Sequence, residues 1–390
     1  MRVEQAVTID DLRRLARRRL PRACFDFIEG GVEDERGLAR NESSYARHQL
    51  LPRYLVDVSR RDQSKNLFDR TYASPFGIAP TGFAGLFRSG ADLMLAEAAA
   101  AANIPFVMSG TSTASIEGAA RIAPAHTWYQ LYTARDLKIT EDQIRRARDA
   151  GFSTLVLTVD VPVASKRERN IRNNFGLQFK LDWRTALDSL MHIPWVIEYV
   201  RNGMPAFENW ASYASDGTDA MTVARLVVKQ TPATVTWRNL EEFRRLWPRH
   251  LVVKGLMQVE DAVRAAEIGV DGIVVSNHGA RQLDQAPAPL EVLPAICAAV
   301  GDRVVLMIDG GIRRGADIVV ALCMGARFVF VGRPTLYGAV AGGIRGVRKA
   351  IEILRDEIDR VTAQIGCPRI EGLGPGFIHN NPVAPVSRPG

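Results

Sequence analysis

Cysteine is scarce. The four residues, Cys24, Cys297, Cys323 and Cys367, form no CxxC pair, which argues against a disulfide framework or a structural zinc site and for a reducing compartment. No apolar run reaches the roughly 18 residues of a membrane span. There is no low-complexity tract, and only 7% of residues are aromatic. Charge of one sign is also nearly absent. Fifty basic against 43 acidic residues leave +7 over 390 positions. That balance makes no case for nucleic acid, and it suits an anionic cofactor, an acidic substrate or an anionic membrane surface equally. The N-terminal arginines (Arg13, Arg14, Arg17, Arg18, Arg19) are interrupted by Asp10, Asp11 and Asp26 and precede no long apolar stretch, so no signal or transit peptide is expected. What is present is an ordinary globular composition, 47% hydrophobic, with ample chain for a large core.

Thr8 with Asp11 three residues on has the spacing of a helix start, and Leu12, Leu15, Ala16 and Leu20 continue it to Pro21. A second helical piece, Cys24 to Ile28, ends at Gly30 and Gly31. These read as a cap on something larger. From residue 75 a rhythm begins. Eight apolar runs, at 76–80, 105–109, 127–131, 154–159, 251–254, 272–276, 304–309 and 328–332, alternate with Ala-rich helical stretches such as 92–102 and 259–268. Short Val- and Ile-rich runs without alternation fit parallel strands covered on both faces. An open doubly wound sheet gives the same local signals, but eight βα units favour an α/β fold of the (β/α)8 TIM-barrel type. The expected organisation is one barrel domain over 1–375 with an N-terminal helical cap, an insertion after strand 4 at about 177–235, and a Pro-rich tail over 376–390.

The runs end in Thr81, Ser109, Gln130, Thr158, Lys254, Ser276, Asp309 and Arg333. The C-terminal ends of barrel strands form the active-site rim. His278 and Arg281 follow the sixth run, pairing a group that titrates near neutrality with a planar carboxylate clamp. Asp309, Gly310, Gly311 and Arg313 follow the seventh run, and Gly332 and Arg333 the eighth. Two Gly/Arg loops in consecutive units, each opening a helix, suit a phosphate. Gly372 to Gly376 reads as a loop rather than a nucleotide motif. His48, His126, His192, His250 and His379 lack any comparable setting.

The segments SNHGARQLD (276–284), DGGIRRG (309–315), VGRP (331–334), QLY (130–132), LTVDVP (157–162) and VKG (253–255) resemble the FMN-dependent 2-hydroxy-acid dehydrogenases and oxidases over about residues 8–370. Further phrases (25–35, 56–61, 80–85, 200–205 and 358–368) are similar to the branch of that family that acts on (S)-mandelate. The resemblance implies FMN as cofactor and oxidation of an (S)-2-hydroxy acid to the 2-oxo acid. His278 would be the base, hydrogen-bonded by Asp160. Arg281 and Arg167 would bind the substrate carboxylate, and Tyr132 the region of its hydroxyl. Pro80, Thr81, Gly82, Ser109, Gln130 and Thr158 would line the flavin ring, and Lys254 would stabilise its negative charge. Ser276 and Asp309 would serve the ribityl chain, and Gly310, Gly311, Arg313, Gly332 and Arg333 the phosphate. Two positions depart from the pattern. Phe27 stands where the family has a tyrosine on the carboxylate, a charge-assisted hydrogen bond worth about 1.5–3 kcal/mol. Gly82 stands where oxidase members carry alanine, which points to a dehydrogenase.

Within the insertion, Met191, Ile193, Trp195, Val196, Ile197, Tyr199 and Val200 lie beside Arg184 and Arg201, a pattern suited to a membrane interface. The resemblance implies a peripheral enzyme on the cytoplasmic face of a bacterial membrane, a quinone or other electron acceptor, and a homotetramer. A cytoplasmic enzyme whose insert packs over the site or into a subunit contact is the alternative. Deletion of about 180–215 is expected to leave a working soluble barrel. The rival activities are L-lactate dehydrogenase and a broad 2-hydroxy-acid oxidase. Two non-enzymatic rivals are a non-catalytic flavin-binding barrel and a phosphate-binding barrel without flavin.

Overall fold

The structure is a computed structural model describing residues 1–175, 183–231 and 233–379. Expectations for residues 177–182, the Arg184 side chain and the Pro382–Pro389 tail lie outside the described residues.

Eight parallel strands close into a barrel: β1 (Phe76–Ile78), β2 (Phe106–Met108), β3 (Thr127–Leu131), β4 (Thr154–Thr158), β5 (His250–Leu256), β6 (Gly272–Val275), β7 (Val305–Asp309) and β8 (Phe328–Val331). Pairing of Val329 with Phe76 and Val331 with Ile78 joins the last strand to the first, which decides for a barrel over an open sheet.

Strand parity explains the rim. Val107, Trp128, Val156, Val252, Val274 and Met307 form one buried cluster with Phe328 and Phe330 in the barrel interior. Side chains repeat every second residue along a strand. Two positions on from six of these stand Ser109, Gln130, Thr158, Lys254, Ser276 and Asp309, all buried polar residues. The interior is thus an apolar plug capped by a polar layer at the C-terminal end. At the other end an antiparallel hairpin, Lys65–Leu67 with Arg70–Tyr72, adds Leu67 and Tyr72 to the plug. The sequence reading contained no such hairpin.

The cap begins with helix α1 (Ile9–Arg19), whose Thr8 side chain accepts from the Asp11 backbone while Asp11 reaches back to the Thr8 N–H. Helix α2 (Arg22–Glu29) follows. Helix α3 (Arg36–Ala46) was not anticipated, because its buried face is Gly37, Asn41, Ser44 and Tyr45, which carries almost no apolar signal. After β4 the insertion contributes helices α4 (Trp183–Met191), α5 (Ile193–Asn202) and α6 (Ala220–Gln230). It is not uniformly superficial. Phe207, Asn209 and Trp210 are buried, Trp210 Nε1 donates to the Gly110 carbonyl at 2.9 Å, and Asn209 Oδ1 accepts from the Ile116 N–H at 2.9 Å. Removal of 180–215 would take these buried contacts with it, since the second half of that segment is part of the wall.

Candidate active site

His278 opens a run of three residues with positive φ: 59° at His278, 64° at Gly279 and 59° at Ala280. Non-glycine residues reach this region rarely, and here side chains hold the turn. The His278 N–H donates to Ser276 Oγ at 3.0 Å, and the Ala280 N–H to Asn277 Oδ1 at 3.1 Å. The turn aims the imidazole into the polar layer. His278 Nδ1 lies 2.8 Å from Asp160 Oδ1. A carboxylate can only accept, so the ring proton sits on Nδ1 and leaves Nε2 free as a base. That Nε2 faces Tyr132 Oη at 3.5 Å.

Burial lowers the His278 pKa, partly opposed by the Asp160 charge. Burial pushes the Asp160 carboxyl up, but His278 and Lys254 outweigh it and hold it below its ordinary value. Burial also raises the Tyr132 phenol, which stays protonated. Lys254 is kept cationic against its burial by Asp309 and Asp160. Its Nζ is 3.2 Å from Asp309 Oδ2 and donates to Ser276 Oγ at 2.7 Å.

Most of the expected site residues border one cavity of about 590 Å3, including Pro80, Thr81, Gly82, Gln130, Thr158 and Lys254. Three do not. Asp160 stands behind His278. Ser109 Oγ donates to Gln130 Oε1 at 3.0 Å, and Gln130 Nε2 in turn donates to Thr158 Oγ1 at 2.8 Å. Ser276 is occupied by Lys254 and the His278 backbone. Ser109 and Ser276 thus also orient their neighbours.

Arg167, Arg281 and Arg333 also border this cavity, and among the described residues none has a carboxylate within ion-pair distance. Burial, with repulsion from neighbouring guanidiniums, lowers the pKa of each. Such a group of cations calls for anionic ligands. Arg281 Nη1 donates to the Phe27 carbonyl at 2.7 Å and the Gly30 carbonyl at 2.9 Å. Arg333 Nη2 donates to the same Gly30 carbonyl at 3.0 Å. Arg313 pairs with Glu42 at 2.8 Å. Gly310 and Gly311 have φ of 95° and 82°, and a Cβ on Gly311 would overlap the Asn41 carbonyl. The second glycine thus admits α3, in addition to bordering the cavity.

Phe27 packs on Phe83, Phe87 and Phe175, with ring centroids 6.4, 5.6 and 5.2 Å away. Its ring centroid lies 4.9 Å from Arg281 Cζ and 6.0 Å from Arg167 Cζ. Of this wall the sequence singled out Phe27 and, inside the 80–85 phrase, carried Phe83; Phe87 and Phe175 were missed. Thr111 was missed as well, and it supports Ser109 from the cavity edge.

Residues 16–380 match the FMN-dependent dehydrogenase family. The chain belongs to that family. A relative, (S)-mandelate dehydrogenase of Pseudomonas putida, is 42% identical, with 97% of this chain and 96% of that one covered. A putative L-lactate dehydrogenase of Mycobacterium tuberculosis is 39% identical, covering 97% and 90%. A crystal structure of the monotopic membrane protein (S)-mandelate dehydrogenase superposes with a TM-score of 0.93 at 41% identity, covering 97% of this chain and all of the other.

The site fits the FMN of this family on its own atoms. Thr81 Oγ1 and Asp309 Oδ1 are buried without a hydrogen-bond partner, which is costly unless a ligand supplies one. Cations stand at one end of the cavity, and Lys254 stands in the polar layer. No described helix is long and apolar enough to cross a membrane.

Proposed function

We propose that the enzyme oxidises an (S)-2-hydroxy acid with an apolar, mandelate-like substituent to the 2-oxo acid. The observation that carries this reading is the His278–Asp160 pair facing a cavity that also holds two half-buried guanidiniums without counter-ions among the described residues. Arg167 and Arg281 bind the substrate carboxylate and fix the orientation of its hydroxyl-bearing carbon. His278 Nε2 takes a proton from the substrate, and Asp160 steadies the imidazolium formed. The protonated Tyr132 hydroxyl is placed to donate to the substrate oxygen. The Phe27, Phe83, Phe87 and Phe175 wall receives the substituent and keeps water away. Thr81, Gly82, Gln130, Thr158 and Lys254 would hold the flavin ring, Asp309 the ribityl chain, and Gly311, Arg313, Gly332 and Arg333 the phosphate. FMN bound there supplies the two-electron acceptor.

Anaerobic mixing with (S)-mandelate should bleach the flavin absorbance, and (R)-mandelate should not. His278→Ala and Arg281→Ala should retain FMN yet be reduced about 10²–10⁴-fold more slowly. Bleaching of His278→Ala at the unaltered rate would remove the base from this scheme.

A second reading concerns location. Leu187, Leu190, Met191, Ile193, Ile197 and Val200 are exposed, and they recur at helical spacing on α4 and α5. The inner side of α5 is bound instead. Trp195 Nε1 donates to the Leu86 carbonyl at 3.1 Å, and Tyr199 Oη to the Gly85 carbonyl at 2.8 Å. The apolar side thus points outward, as in an interfacial helix. The stripe supports peripheral attachment to a membrane; the resemblance to the family extends the reading to the cytoplasmic side of a bacterial membrane, a quinone acceptor and a homotetramer. Flotation with lipid vesicles that Met191→Ser with Val200→Ser abolishes is the expected outcome. Full flotation of that variant would assign the attachment elsewhere.

A further inference from the structure

We propose that Asn41, on α3, is a positioning residue for the base: its side chain pairs with Asn277 and so holds the turn that presents His278. The proposal rests on the assignment of His278 as the base and adds to it a residue that lies outside the cavity.

The turn needs holding. Three consecutive residues at positive φ, two of them not glycine, do not keep that shape unaided. The His278 ring must nonetheless stay within reach of Asp160 Oδ1 at 2.8 Å and Tyr132 Oη at 3.5 Å. Asn277 opens the turn, and its side chain is fully engaged. Its Oδ1 accepts from the Ala280 N–H at 3.1 Å and from Asn41 Nδ2 at 2.8 Å. Its Nδ2 donates to Asn41 Oδ1 at 2.8 Å and to the Pro287 carbonyl at 3.1 Å. Both acceptor directions and both hydrogens of the amide are thus used. The amide cannot turn over, because that would set its NH2 against the Ala280 N–H and its oxygen against the Pro287 carbonyl.

Asn277, Ala280 and Pro287 belong to one loop, so bonds among them shape the loop without anchoring it. Asn41 comes from a separate element. Both asparagines are buried, and water does not compete for the pair. Helix α3 is also fixed to the far end of the loop. Asp284 accepts from the Gly37 N–H at 2.7 Å and from the Arg36 N–H at 3.2 Å, one turn before Asn41. The loop is therefore stapled to α3 at two points, with His278 and Arg281 between them. The same stretch of α3 receives the glycine loop after β7. A Cβ on Gly310 would stand 3.3 Å from Asn41 Nδ2, and one on Gly311 would overlap the Asn41 carbonyl. Tyr45 Oη donates to the Gly310 carbonyl at 3.0 Å. Asn41 thus braces the turn of the base with its side chain and the glycine loop with its backbone. Neither Asn41 nor Asn277 borders the cavity, so an effect on the reaction has to pass through what they hold.

The test is anaerobic reduction of the FMN-loaded enzyme by (S)-mandelate, with Asn41 replaced in the wild-type and in the His278→Ala backgrounds. Misplacing a reacting group by about 1 Å costs on the order of a hundredfold, and Asn41→Ala should slow reduction by about that factor. FMN should stay bound, because the Asn41 carbonyl against which Gly311 packs is kept. The half-saturating substrate concentration should be unaltered, since Arg281 is held separately by the Phe27 and Gly30 carbonyls. In the His278→Ala background the same change should cost less than about twofold, because groups that act as a unit are not additive. Asn41→Asp keeps the side-chain volume and decides the matter where Asn41→Ala yields no folded holoenzyme. Whichever way Asn277 turns, a carboxylate at 41 sets oxygen against oxygen at one of the two contacts. Reduction should again be slowed when His278 is present and not when it is absent. Loss of the same factor in both backgrounds would mark a general structural defect and overturn the assignment. Reduction of both Asn41 variants at the wild-type rate would overturn it as well, while leaving His278 as the base. If His278→Ala alone is reduced at the wild-type rate, the base is misassigned and this inference falls with it.

Discussion

In the proposed scheme His278 acts through one proton, and its surroundings set the pH at which that proton is present. The base is active when neutral. Burial lowers its pKa from the ordinary 6.5, so kcat/KM should rise with pH along a limb centred below that value. Asp160 opposes the shift, raising the affinity of the imidazole for its proton. Asp160→Asn should therefore move the limb to still lower pH and also lower the plateau, because the imidazolium loses its counter-ion. A limb that stays in place in Asp160→Asn would mean that another group titrates. Phe27 offers a second single-atom test. Its ring lies against both arginines proposed to bind the carboxylate, so Phe27→Tyr adds a phenol at that end. KM for lactate should fall about tenfold, at the low end of a charge-assisted bond, with kcat little altered. If no 2-hydroxy acid binds better, Phe27 is not at the carboxylate end. At this scale the sequence was informative because polar residues at strand ends are conspicuous. It was blind to how those residues hold one another, as Ser109 holds Gln130 and Ser276 holds Lys254. Each of these holds is a matter of one hydrogen bond.

Among the elements, the barrel strands were readable because runs such as 154–158 are uniformly apolar and short. Helix α3 was not, since a helix that buries Gly37, Asn41 and Ser44 against polar loops leaves no periodic apolar trace. Asn41 Nδ2 donates to Asn277 Oδ1 and receives Asn277 Nδ2 on its own carbonyl oxygen, both at 2.8 Å. The 65–72 hairpin was too short to stand out. Helix α5 shows the converse case. Its amphipathic pattern was plain, but periodicity does not say which face is covered, and here the aromatic and polar face is held while the apolar one is bare. The two halves of the insertion should respond oppositely to substitution. Trp210→Ala empties a fully buried site and should cost about 3–5 kcal/mol in denaturant unfolding. Met191→Ser, at an exposed position, should leave stability within about 0.5 kcal/mol. Equal losses from the two would mean that the stripe is packed against protein.

For the molecule as a whole, eight βα units were countable along the chain, but closure was not, because the β8–β1 pairing joins residues some 250 apart. The cap's place over the rim was equally hidden, since it depends on a few long-range bonds. The most consequential of these meet at Gly30, whose carbonyl receives both Arg281 from the proposed substrate side and Arg333 from the proposed phosphate side. One peptide group cannot swing away from either guanidinium while keeping the other. Loading the phosphate end should therefore latch the first thirty residues, and emptying it should free them. Trypsin, which cuts after arginine, should nick the Arg13–Arg22 segment readily in deflavinated protein and slowly once FMN is returned. Riboflavin, which lacks the phosphate, should leave the segment open to cutting, so resistance to protease at the amino terminus becomes a direct gauge of phosphate occupancy some three hundred residues away in the chain.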